Sequence, residues 1–79
     1  MVPAAIHEFL RGRALQQGLP APSQNEDLFS SGILDSFALV ELVSIIEAEV
    51  GFKVPDGDVV PRHFQSINAI EKYLDTKSR

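Results

Sequence analysis

A run with helical periodicity, residues 36–50, constrains the fold of this chain more than any other stretch. At about 100° per residue, five of its apolar side chains fall within one arc, which must be buried against other elements. Asp35 precedes the run as a suitable N-cap, and Gly51 follows as a helix stop. The apolar residues of the arc are Leu39, Leu42, Val43, Ile46 and Val50.

Ser36 is expected on the first turn of this helix. The unpaired amides and the positive end of the helix dipole lie there, so a phosphate carried on the serine oxygen would be stabilised. A serine near a helix start is, taken alone, most often an unmodified cap. Features elsewhere in the sequence are needed to distinguish a modified serine from an unmodified cap.

Length and composition indicate one small domain spanning residues 1–79, because 79 residues with 44% hydrophobic content cannot build a second core. The chain has no cysteine, so disulfides and thiolate metal sites are excluded. A net charge of -4 argues against nucleic acid as a partner. The sequence shows no signal peptide and no run of membrane-spanning length, so we expect a cytoplasmic protein without membrane insertion.

An earlier helix is predicted from Pro3, which is well placed as a first helical residue. Either Gly12 or Gly18 could end it, and His7 on this helix is expected to face solvent. The connection over residues 18–35 is long for a structureless loop, so we expect it to be docked on the core. The apolar residues of helix 1 are Ile6, Phe9 and Leu10, and the predicted loop anchors are Leu28, Phe29, Ile33 and Leu34.

The sequence of the last third of the chain predicts a brief helical turn followed by a final helix. The turn should start at Asp56 or Asp58, run through Val60 and be broken by Pro61. Phe64 is the expected core residue here, His63 a loop residue, and residues 76–79 a frayed end. Ser66 is a suitable N-cap for a helix whose apolar positions are Ile67, Ile70, Tyr73 and Leu74.

Together these elements predict an all-α fold: a small antiparallel bundle of three main helices plus one short helix, with a long loop between helices 1 and 2. Residues of the 36–50 run outside the apolar arc form a candidate contact patch of exposed apolar and acidic side chains. An alternative is that Phe37 folds back onto Ile33 and Leu34. The patch comprises Phe37, Val40, Glu41, Ser44 and Glu47.

The order and spacing of several short motifs resemble the acyl carrier protein family over nearly the whole chain, most weakly in helix 1. An Asp-Ser pair alone is a weak signal, whereas the ordered set is specific. The motifs are Asp27-Leu28-Phe29, Gly32 to Asp35-Ser36-Phe37, Val40-Glu41-Leu42-Val43 with Ile46-Glu47, Val54-Pro55-Asp56, and Phe64-Gln65-Ser66-Ile67.

This resemblance implies that a phosphopantetheinyl transferase attaches 4'-phosphopantetheine to Ser36 through a phosphodiester, with Asp35 as the flanking cap. The thiol of the arm would carry an acyl or aminoacyl group as a thioester. The implied partners are loading enzymes, synthases and transferases of fatty acid, polyketide, nonribosomal peptide or related biosynthesis. The resemblance further implies a monomeric, non-catalytic carrier, and Glu41 and Glu47 would attract basic partner surfaces.

Two departures from the family pattern bear on the type of carrier. Phe37 stands where many members have leucine or isoleucine, and both Ile33 and Leu34 separate the glycine from the Asp-Ser pair. Both features are more typical of discrete carriers, including D-alanyl carrier proteins, so we expect a stand-alone protein, although a domain excised from a larger synthase is the alternative. The cargo stays open.

Two other functions compete with the carrier hypothesis. The first is a helical protein-interaction module in which Ser36 is an unmodified helix cap. The second is a hydrolase that pairs Ser36 with His7 or His63. A nucleophilic serine needs an oriented base and an oxyanion hole, and the sequence indicates neither, so the hydrolase is disfavoured.

Overall fold

The computed structural model describes residues 2–77, and within them the chain forms four α-helices and no strand. The helices are α1 (Ala4–Gln16), α2 (Ser36–Val50), α3 (Pro61–Phe64) and α4 (Ile67–Lys77), and a 3₁₀ turn (Asp56–Asp58) precedes α3. The prediction of an all-α fold with three main helices and one short helix is confirmed. The expected fraying is wrong for Thr76 and Lys77, which are helical, while residues 78–79 lie outside the described part.

The core draws side chains from all four helices and from the loop before α2. Every predicted core residue of α4 is buried, and so are four of the five residues in the apolar arc of α2, with Val50 partly buried. Four core residues were not predicted from the sequence, namely Val2, Ala14, Ala38 and Val54. The fully buried large side chains are Phe64, Ile6, Leu10, Leu28, Ile33, Leu34, Leu42, Ile46 and Ile70.

Helix α1 continues through Gly12 and ends at Gln16, so of the two predicted ends Gly18 is the right one. Gly18 has a φ of 71°, which favours glycine, and its amide bonds to the carbonyl of Leu15 while the amide of Leu19 bonds to that of Ala14. This pair of bonds satisfies the last carbonyls of the helix. Pro3 occupies the N-cap position, so it does not begin the helix as predicted.

The loop between α1 and α2 is docked, as predicted. Leu28, Ile33 and Leu34 are buried, and Phe29 packs against the core. The amide of Leu28 donates to the carbonyl of Gln65 at 2.7 Å, which joins the loop to the turn before α4. Buried apolar anchors and satisfied backbone groups together hold the loop on the core.

The predicted turn begins at Asp56 but ends at Asp58, before Val60, and a helix that was not predicted, α3, begins at Pro61. The proline ring fixes φ near the helical value, and it needs no amide partner at a first helical position. His63 consequently lies in a helix, and not in a loop as predicted. Phe64 is fully buried as expected, and the Ser66 hydroxyl accepts the Ala69 amide at 3.1 Å, which confirms the predicted cap of α4.

Candidate functional site

Ser36 is the first residue of α2, and it is exposed to solvent. The cap of this helix is the neighbouring Asp35, whose Oδ1 accepts the Ala38 amide at 2.8 Å. The predicted cap is therefore confirmed for Asp35. The reading of Ser36 as the helix cap is wrong, which leaves its hydroxyl without a capping role at the end of α2 where amides and the helix dipole favour an anion.

The segment before Ser36 is held from two sides. Ile33 and Leu34 are buried, and the Leu34 amide donates to the Leu28 carbonyl at 2.9 Å. From α1, the Nε atom of Arg13 donates to the carbonyl of Ile33, and its Nη2 lies 3.6 Å from Oδ2 of Asp35. The exposed serine thus follows a segment whose backbone is fixed, and its position does not depend on a free loop.

The predicted contact patch is exposed for four of its five residues. The side chains of Phe37 and Val40 have exposed fractions of 85% and 61%, so the alternative in which Phe37 folds back onto the loop is wrong. Glu41 and Ser44 are also exposed, on the same side of α2. An exposed aromatic ring directly after Ser36 is a feature of binding surfaces, because burying such a ring on a partner is favourable.

Glu47, the fifth residue, has a different environment. It is half-buried, and its Oε2 accepts the amide of Val54 at 2.7 Å. Because Val54 is buried, this bond satisfies a backbone donor that has little access to water. Glu47 therefore connects α2 to the chain that follows it, a role that was not predicted.

A groove of about 290 Å³ runs along α2 on the side of the 3₁₀ turn. Its walls combine apolar side chains with Ser44, Glu47, Lys53 and Asp56. The apolar lining residues are Val40, Val43, Val54 and Val59. Val40 lies about one helical turn from Ser36, so the groove begins close to the serine.

A larger groove of about 460 Å³ lies along α3 and α4, and no residue predicted for the cofactor site or the contact patch lines it. Its wall holds a polar cluster in which the Tyr73 hydroxyl donates to Oδ2 of Asp58 at 2.8 Å, with Nζ of Lys77 at 3.1 Å from the same oxygen. Burial, together with the hydrogen bond to Asp58, raises the pKa of Tyr73 to about 12. The hydrogen bond from Tyr73 and the charge of Lys77 hold the pKa of Asp58 below its usual range. This cluster ties α4 to the 3₁₀ turn.

The two histidines do not form a catalytic pair with Ser36. The ring of His63 packs at a tilt of 41° against Tyr73, with 4.9 Å between ring centroids, and lies edge-on to Phe64. His7 is half-buried on α1. Within residues 2–77, no hydrogen bond joins either imidazole to Ser36, so the geometry gives no support to the hydrolase alternative.

The described residues also limit the other kinds of site. Within residues 2–77, no group of three histidine, aspartate or glutamate side chains is arranged to hold a metal ion. No helix in that part of the chain is long and apolar enough to cross a membrane. The exposed Ser36 hydroxyl lies at the amide end of a fifteen-residue helix, where a negative charge would be stabilised.

Comparisons with known proteins agree with this geometry. A family model described as a phosphopantetheine attachment site matches residues 12–74. A solved chain from a crystal structure described as that of an FAD-dependent dehydrogenase is 28% identical, with a TM-score of 0.72 over 87% of this chain and 97% of that chain. That likeness supports the helical fold and does not assign the dehydrogenase activity. No curated protein sequence matches the chain.

The matched region contains α2, α3 and most of α4, together with the docked loop and the exposed serine. The family model covers far more than half of the chain. The chain therefore belongs to the phosphopantetheine-binding family of acyl carrier proteins, and it is a carrier that bears covalently attached 4'-phosphopantetheine.

Proposed function

We propose that Ser36 is the residue that carries 4'-phosphopantetheine. The observation that most supports this assignment is that two neighbouring residues have different roles at the start of α2. Asp35 caps the helix, while Ser36 stands exposed on the first helical residue with no capping role. An attached phosphodiester would face the amide end of the helix, and its charge would be stabilised there.

In the attachment step, one phosphate ester bond forms and one pyrophosphate bond breaks. The Ser36 oxygen forms a bond to the phosphorus that bears the pantetheine in coenzyme A, the pyrophosphate bond breaks, and adenosine 3',5'-bisphosphate leaves. The proton of the hydroxyl passes to a base that the transferase supplies. This chain contributes an accessible hydroxyl on a fixed helix end, so its own role in the step is presentation.

The carrier function follows from the tether. The thiol of the bound arm holds an acyl or aminoacyl group as a thioester. The chain keeps this group at a high local concentration for successive enzymes of fatty acid, polyketide, nonribosomal peptide or related biosynthesis. We propose that it does so as a single monomeric cytoplasmic domain without catalytic activity of its own, and that the groove beside Val40 shelters part of the cargo.

The exposed face of α2 is the surface on which we place partner recognition. Phe37 and Val40 supply exposed apolar area next to Ser36, and Glu41 supplies negative charge. Basic patches on transferases and synthases would be attracted to this face, which speeds encounter without making the complexes long-lived. Ser44 extends the same face. Glu47 adds negative charge to it, while its carboxylate also accepts the hydrogen bond from Val54.

The assignment is tested by incubating the purified chain with coenzyme A and a phosphopantetheinyl transferase and measuring the intact mass. We expect the wild-type chain to gain the mass of one phosphopantetheinyl group and Ser36→Ala to gain none. Ser23→Ala is the matched control, because Ser23 is an exposed serine in the docked loop. Equal loading of Ser36→Ala would overturn the assignment, and no loading of any variant would favour the interaction-module alternative.

A further inference from the structure

The segment that precedes Ser36 is joined by side-chain contacts to α1 and to its C-cap. Arg13 contacts it twice, through Nε to the Ile33 carbonyl and through Nη2 to the Asp35 carboxylate at 3.6 Å. The Nε2 atom of Gln17, at the end of α1, donates to the carbonyl of Gly32. The side chains of Arg13 on α1 and of Gln17 at its C-cap therefore contact three residues of the segment that delivers the serine, namely Gly32, Ile33 and Asp35.

The backbone geometry at Gly32 is adapted to this arrangement. Gly32 has a φ of 85°, which L side chains rarely adopt, and a Cβ added there would lie 3.0 Å from Oε1 of Gln17. The positive φ therefore favours glycine here, and a larger residue would also push the end of the Gln17 side chain away by a few tenths of an ångström. The contact between α1 and the segment is specific in geometry as well as in hydrogen bonding.

Arg13 is also placed to balance charge at the site. Its side chain is only 22% exposed, whereas the Asp35 side chain is 61% exposed, so the arginine is the more covered member of the ion pair. Asp35 uses one oxygen for the α2 cap and the other for this ion pair. A phosphodiester on Ser36 would place a second negative charge one residue from Asp35, and a nearby guanidinium offsets that repulsion.

We infer that Arg13 is a positioning residue for modification at Ser36. It fixes the Asp35–Ser36 corner in the orientation that the transferase needs, and it offsets the carboxylate beside the phosphodiester once the group is attached. This inference rests on the proposed attachment at Ser36. Because most of the Arg13 side chain is covered, its effect on loading is exerted through Asp35 and the backbone, and not through contact with the partner.

Steady-state loading kinetics test the positioning role. The variants are Arg13→Gln, Arg13→Lys and, as a control with the same charge change, Arg11→Gln, since Arg11 is exposed on the same helix. With coenzyme A and one transferase that loads the wild-type chain, we expect Arg13→Gln to lower kcat about fivefold with little change in KM. We expect Arg11→Gln to leave kcat unchanged. Arg13→Lys should recover only part of kcat, because one ammonium group cannot make both contacts.

The charge-balancing role has a separate measurement, the difference in melting temperature between the unmodified and modified forms of each variant. We expect modification to lower the melting temperature of Arg13→Gln by about 2–5 °C more than it does in the wild type or in Arg11→Gln. Arg13→Lys keeps the charge and should match the wild type in this difference. If Arg13→Gln fails to fold, the partial loss of kcat in Arg13→Lys carries the test.

The outcomes separate this inference from the proposed function. If the wild type is loaded at Ser36 and Arg13→Gln behaves like Arg11→Gln in both kcat and the melting difference, the inference is overturned and the proposed function stands. Full recovery of kcat by Arg13→Lys would overturn the two-contact geometry. If the wild type is not loaded at all, both the proposed function and the inference are overturned.

Discussion

The hydrogen bond from Val54 to Glu47 gives a stability prediction that can be worked out from the structure. Glu47→Ala removes the acceptor of a 2.7 Å bond and leaves the amide of Val54, a residue only 2% exposed, without a partner. Hydrogen bonds to charged groups contribute about 1.5–3 kcal/mol, and Glu47 is half-buried, so we expect a loss of about 1–2 kcal/mol. For a chain of this length that loss lowers the melting temperature by about 5–15 °C.

Thermal melts followed by circular dichroism measure this loss, and Glu41→Ala is the matched control. Glu41 lies on the same helix and is exposed, so its removal should change the free energy of unfolding by less than about 0.5 kcal/mol. Glu47→Gln keeps an acceptor without the charge and should fall between the two. A Glu47→Ala melting temperature within about 2 °C of the Glu41→Ala value would refute the reasoning, because the bond would then contribute almost nothing.

Three further predictions follow from burial, ionisation and exposure. Ile46→Ala should cost about 2–5 kcal/mol in denaturant unfolding, because a fully buried side chain leaves a cavity, and a loss below about 1 kcal/mol would contradict the packing. Since the pKa of Tyr73 is raised to about 12 in the folded state, stability should fall as the pH rises from about 10 towards 12, and Tyr73→Phe should weaken this dependence. Phe37→Ser should raise the KM of partner enzymes without lowering the melting temperature, since this side chain is 85% exposed, and an unchanged KM would remove Phe37 from the recognition face.

The features that were predicted correctly from the sequence are mostly local in origin. Asp35, Gly51 and Ser66 bound helices because their side chains or backbone freedom act within one turn of the chain. The buried arc of α2 follows from helical periodicity alone. Even the docked loop could be anticipated, because four apolar residues within a polar connection must be buried somewhere.

The features that the sequence did not predict depend on contacts between distant residues. Arg13 meets Asp35, and Tyr73 meets Asp58, only after the helices have packed, and neither pair has a signature in spacing. Helical periodicity predicts that Glu47 is an exposed acid. The structure differs because Glu47 bonds to Val54, which lies beyond the end of α2. Pro61 did have a usable signal, since proline favours the first helical position and Phe64 follows three residues later.

The most direct test of the account is to locate the modification itself. After loading with coenzyme A and a phosphopantetheinyl transferase, peptide mapping by tandem mass spectrometry should place the added group on Ser36, and on no other serine or threonine of the chain. Modification of a different residue, or an unmodified Ser36 in a chain that the transferase otherwise recognises, would contradict the central claim that this exposed hydroxyl at the start of α2 holds the arm.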